Sequence, residues 1–124
     1  MTKLFSGLAV LLTAFVALLH SGFLILEMFF WNHPVGQKVF AMTPEVAESS
    51  AALAANQGLY NGFLAAGLLW GLVSRKRDVT IFFLLCVVVA GIFGAVTAKP
   101  SIFFVQAMPA ILAIVFTMLS GKKS

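Results

Sequence analysis

This 124-residue chain has little charge, few acids and a single cysteine. Charged side chains make up 10% of it, and only four residues are acidic. With 61% hydrophobic residues and a mean hydropathy of +1.06, it carries more apolar surface than a water-soluble core of this size hides. The same composition excludes disorder. The one cysteine, Cys86, sits inside the apolar stretch 81–94. Alone it makes neither a disulfide framework nor a thiolate metal site, and it reads as a buried structural thiol. No nucleophile elbow or phosphate loop is present, and the spacing of His20, Glu27 and His33 matches no helical zinc motif, so no metal or cofactor is expected. The eight basic residues form no face interleaved with aromatics, which removes nucleic acid as a partner.

What is present is apolar length. Four stretches, 4–31, 53–73, 79–98 and 101–119, each meet the ~20 residues that a helix needs to cross hydrocarbon about 30 Å thick. The first is read as a retained span rather than a secretory signal, because no small-x-small cleavage site follows Lys3 and the run continues to Trp31. Pro34 stops it near Asn32 and His33. Thr43, Pro44 and Glu45 then supply an N-cap, a proline for the first helical position and an acid for the first turn. A basic turn at 74–78, with Asp78 as cap, and a second short turn at Lys99-Pro100 force neighbouring helices to run antiparallel. The expected fold is all-α: one domain over 1–124, a polytopic membrane protein with an up-down four-helix transmembrane bundle, helices about 4–31, 44–73, 78–98 and 101–119. Lys3, Arg75, Lys76, Arg77, Lys122 and Lys123 fall on one side and Lys38 and Lys99 on the other. The positive-inside rule therefore predicts a multi-pass protein of the cell inner membrane with both termini cytoplasmic.

Small residues predict the helix contacts. Gly58, Gly62 and Ala66 recur every four residues, Gly67 and Gly71 form a second stripe, and Ala90, Gly94 and Ala98 do the same on the third span. Polar residues inside the spans each call for a partner or a purpose. His20 and Glu27 lie seven residues apart, on one face, with Trp31 one turn further at interface depth. Asn56, Gln57, Tyr60 and Asn61 crowd into two turns, where helix spacing pairs Asn56 with Tyr60 and Gln57 with Asn61. Thr97 and Gln106 reach the same depth, and Pro109 predicts a kink that leaves the carbonyl of Val105 without its helical partner. The inner half, with Leu11, Leu69, Phe83 and Phe116, reads as apolar. A polar pocket open toward the outside follows, with His20, Glu27, Trp31, Asn56, Gln57, Tyr60, Asn61 and Gln106 as ligand-binding candidates. The carboxyl of Glu27 either stays protonated or finds a cation, for which Lys99 or a protonated His20 is available. Glu45 and Glu48 read as solvated.

His20, Glu27-Met28, Trp31, Phe40 and the block 56–65, Asn-Gln-Gly-Leu-Tyr-Asn-Gly-Phe-Leu-Ala, resemble the small bacterial membrane proteins catalogued as domain of unknown function 1304. The resemblance spans essentially the whole chain and implies a four-helix inner-membrane protein. It brings no activity, substrate or catalytic residue with it. Three functions compete for such a layer. One is binding or transport of a small amphiphile or membrane lipid by hydrogen bonds and charge. Another is a non-catalytic subunit or homo-oligomer built on the glycine stripes. The third is an intramembrane lipid-modifying enzyme with Glu27 and His20 as its acid-base pair. The bland alternative is that these groups bond only to one another and fix helix register.

Overall fold

The computed structural model describes residues 2–121, and every regular element among them is helical. Lys122 and Lys123, which enter the expected orientation, lie outside them. In chain order the elements are α1 (Thr2–Phe29), a short α2 (Pro34–Val39), α3 (Pro44–Val73), α4 (Arg77–Thr97), a π-helical turn (Phe103–Ala107) and α5 (Met108–Leu119). Two helices are long and apolar enough to cross a membrane: α1, with a window of mean hydropathy 2.3, and α4, with one of 2.8. The polar cluster at 56–61 keeps α3 below that level, and the apolar segment Phe103–Leu119 is shorter.

Local chemistry explains the boundaries. Thr43 caps α3, its Oγ1 accepting the amide N–H of Val46 at 3.2 Å, with Pro44 at the first helical position. His33 does the same for α2, Nδ1 accepting from the amide of Val35 at 3.1 Å. The segment between α1 and α3 thus holds a capped helical turn, and α1 ends at Phe29 rather than Trp31. Two helix ends close in the same way. After α2, Ala41 takes φ 53°, and the amides of Ala41 and Met42 bond to Lys38 and Gln37. After α3, Arg75 takes φ 55°, and the amides of Arg75 and Lys76 bond to Leu72 and Gly71. Both are paired carbonyl closures of the Schellman type, with a side-chain-bearing residue in the left-handed position that usually holds glycine. Asp78 is not the cap of α4. Lys76 stands at that position without a side-chain bond, and Asp78 Oδ1 accepts from the amide of Val79 within the first turn.

Proline 109 has no N–H to give back to the preceding turn. The chain answers with the π-helical turn before it, where the amide of Met108 reaches the carbonyl of Phe103. The interruption is an extra residue per turn in place of the simple kink expected.

The chain divides into two compact units, Leu18–Ala65 and Met1–Ala17 with Ala66–Ser124. In the first, α3 runs antiparallel to α1: a methyl added at Gly58 would stand 2.6 Å from Met28 Cγ, and one at Gly62 would stand 2.5 Å from Leu24 Cδ1. In the second, Gly67 meets the Phe83 ring and Gly71 meets Thr80, while Gly91 and Gly94 meet Ala107 and Ile102, again with opposite chain directions. The packed positions differ from the expected stripes: Ala66, Ala90 and Ala98 are exposed, and Ala65 and Gly91 are buried in their stead. Cys86 is half-buried rather than buried.

Among the described residues, eight of the twelve buried apolar ones are alanine, whereas Leu11, Leu18, Phe29, Val73, Phe93 and Val96 are all more than two-thirds exposed. Small residues inside and large apolar ones outside invert the distribution of a water-soluble domain.

Glycine contacts of this kind separate by sign under substitution. Gly91→Ala puts a methyl 2.7 Å from the backbone nitrogen of Ala107 and should lower stability by about 1–3 kcal/mol. Gly7→Ala meets nothing within 4 Å and should raise it by ~0.5–1 kcal/mol through helix propensity. Reversible unfolding in mixed micelles measures both, and equal effects at the two sites would contradict the packing described.

Candidate functional site

Seven of the eight candidate residues lie in the unit Leu18–Ala65. Its polar centre is one contact: Asn61 Nδ2 donates to Glu27 Oε1 at 2.6 Å. Both residues are half-buried. The pair exists because Gly58, one turn before Asn61, lets α3 approach α1 so closely that a methyl there would lie 3.2 Å from Glu27 Cβ. Asn61, which helix spacing assigned to Gln57, is thereby taken by the neighbouring helix. The carboxyl meets an amide.

One turn beyond Glu27, Trp31 fixes the end of the unit. Its Nε1 donates to Ser50 Oγ at 2.9 Å, and Ser50 Oγ donates onward to the carbonyl of Val46 at 2.6 Å. The indole also lies 4.7 Å from the Phe40 ring, centroid to centroid. Gly36 lets α2 fold back onto the carbonyls of Phe30 and Trp31, where a methyl would collide. Trp31 therefore acts as a clasp between α1, α2 and α3, with its one polar atom satisfied. Ser50 is a member of this arrangement that sequence reasoning missed, since a serine in the second turn of α3 carries no signal of its own.

His20 is fully buried, its ring edge-on to Phe23 at 5.2 Å. Asn56, Gln57 and Tyr60 are exposed. Asn56 Nδ2 donates back to the carbonyl of Ala52 at 3.2 Å rather than to Tyr60, and Tyr60 lies beside Phe63. The structure thus brings Glu27 and Asn61 together and presents Asn56, Gln57 and Tyr60 as an open polar strip on α3. Gln106, half-buried in the π-helical turn, belongs to the other unit. The segments expected to form an inner half depart from the apolar expectation. Leu11 and Leu69 are exposed, and Thr13, Thr80 and Thr117 are buried, one hydroxyl on each of three helices. No group of three or more metal-ligating side chains occurs among the described residues.

The model of a family described as "Protein of unknown function (DUF1304)" matches residues 14–118, a span that includes all eight candidates. The chain is also similar to "Uncharacterized protein YpaA" of Lactococcus lactis subsp. lactis (strain IL1403), 30% identical over 112 residues, or 87% of this chain and 94% of that protein. No solved structure matches it.

A double-mutant cycle on Glu27→Leu and Asn61→Leu tests the central contact. A bond across two helices in an apolar setting is worth about 0.6 to 1.7 kcal/mol of coupling, and unfolding of the four proteins in mixed micelles reads it. Additive effects would mean that the two side chains do not meet.

Proposed function

We propose, for a chain that belongs to the DUF1304 family, a multi-pass membrane protein with four spanning helices and cytoplasmic termini that binds a small amphiphile or lipid through the polar face of α1 and α3. Three features support the membrane setting. Large apolar side chains are exposed and alanine, glycine and threonine are packed, an order that favours an apolar solvent. Two helices have the length and hydropathy of spans. The bases at 3 and 75–77 stand opposite Lys38 and Lys99 in the alternation of helix ends. On that topology Glu27 and Asn61 lie in the outer half of the bilayer, and Trp31 at its edge.

The observation that carries the binding reading is the exposed strip Asn56, Gln57 and Tyr60 beside the Glu27–Asn61 bond. Polar groups at this depth are costly against acyl chains, so an occupant with hydrogen-bonding groups must cover them. An amphiphile head group offers such groups where the strip stands, with its tail along exposed Phe63 and Leu53. A second copy of the chain is the other occupant the same exposure favours, because amides hydrogen-bond across helices.

Protein purified in a mild detergent should retain an amphiphile that organic extraction and mass spectrometry detect. The variant Asn56→Ala/Gln57→Ala/Tyr60→Phe should lose at least four-fifths of it while unfolding at an unchanged temperature. Undiminished amphiphile, together with a Gln57→Cys disulfide crosslink to a second copy in native membranes, would replace the binding reading by the oligomeric one. Accessibility of a cysteine at position 75 only from outside the cell would remove the topology itself.

A further inference from the structure

A cavity of about 770 Å³ opens in the unit that contains residues 2–17 and 66–121, at the end where α1 begins and α3 turns into α4. It is independent of the polar strip on α3. Lys3, Arg75 and Arg77 line it, and no acidic residue does. Ser6, Thr13 and Thr80 line it as well. Thr80 is buried and Thr13 fully so.

Two of these groups are left unsatisfied. The hydroxyl of Thr13 has no hydrogen-bond partner. Arg77 is held by one arm, Nη2 donating to the carbonyl of Met118 at 3.3 Å, while its buried Nε–H has no acceptor. An unpaired buried donor costs free energy unless something accepts from it. Arg75 adds a third irregularity, occupying the left-handed backbone position that closes α3, where glycine would be less strained. Cations without counter-charges and donors without acceptors call for an anion with several acceptor oxygens, and guanidinium groups fit a phosphate best. The cavity is far larger than a phosphate needs and falls in the range of small-molecule sites. Val10 and Leu72 add apolar wall.

We infer that this cavity binds a phosphate-bearing amphiphile, the phosphate on the cationic groups of Lys3, Arg75 and Arg77, a further acceptor oxygen such as an ester carbonyl on the Thr13 hydroxyl, and the apolar portion against Val10 and Leu72. The basic residues that orient the protein thus also build a binding site, on the side that the charge rule makes cytoplasmic.

The full chain in phosphatidylcholine nanodiscs, titrated with dioctanoyl phosphatidic acid, tests this, with Trp70 fluorescence and the unfolding midpoint as readouts. Saturable binding that raises the midpoint is expected, with neither dioctanoylglycerol nor inorganic phosphate matching it at equal concentration. Arg75→Gly should weaken binding at least tenfold while the ligand-free protein unfolds at the same or a higher temperature, because it relieves the left-handed position. Thr13→Val should weaken binding at least threefold, again without loss of the ligand-free midpoint. Lys38→Gln, which removes a charge remote from the cavity in sequence and absent from its wall, should leave binding unchanged. Equal weakening by Lys38→Gln would reveal diffuse surface attraction and overturn the inference, as would unaltered binding in both Arg75→Gly and Thr13→Val. Equal protection by inorganic phosphate would overturn the amphiphile.

Discussion

Close backbone approach at glycine is the constraint on which the rest of this structure depends. In the proposed bilayer, a helix whose outer face is leucine, phenylalanine and valine gains nothing by hiding that face from lipid, so contact has to come from dispersion over surfaces that fit. Gly58 against Met28, Gly71 against Thr80 and Gly91 against Ala107 provide that fit, each at a separation that no larger residue tolerates without displacement. The polar contacts follow from it. Glu27 and Asn61 reach hydrogen-bond distance because Gly58 brings their helices together, and Thr80 lines its cavity from a position that Gly71 leaves open.

The turns obey a different requirement, the closing of carbonyls and amides left over at helix ends. Thr43 and His33 close the starts of α3 and α2, and paired amides after Lys38 and Leu72 close the ends. Every such closure is local, so it can be read from a few neighbouring residues. Thr43-Pro44-Glu45 was legible for that reason. The closure at Arg75 was not, since nothing in Ser-Arg-Lys-Arg announces a left-handed residue where glycine is usual.

Apolar length and proline positions made the helical segments legible, and a polar run in an apolar one singled out Glu27 and Asn61. Rotation around each helix was harder to read. Stripes drawn every four residues through Ala66, or through Ala90, Gly94 and Ala98, drift away from the contact, because 3.6 residues per turn need alternating steps of four and three. Thr80, Leu84, Val87 and Gly91 follow those steps, and they are the buried face of α4. The same arithmetic places Tyr60 about 100° round the helix from Asn61, which is why one is exposed and the other is bonded to Glu27. Ser50 and the three buried threonines escaped notice because single hydroxyls are common in helices and become informative only once tertiary contacts show where they point.

Satisfied and unsatisfied polar groups carry different meanings. In the unit 18–65, the Asn61 amide, the Trp31 indole and the Ser50 hydroxyl each donate to a named acceptor within 3 Å. Contacts so complete fix register and leave their neighbours Asn56, Gln57 and Tyr60 as the surface on offer. In the unit that includes Thr13 and Arg77, donors are buried without acceptors beside three cations and no acid. A fold packed on glycine and alanine has no need of such groups for cohesion, and valine in place of Thr13 would fill the same volume without the unmet bond. A ligand that supplies the missing oxygens recovers their cost, so unmet donors in an otherwise economical core point to a site more directly than any polar residue that already has its partner.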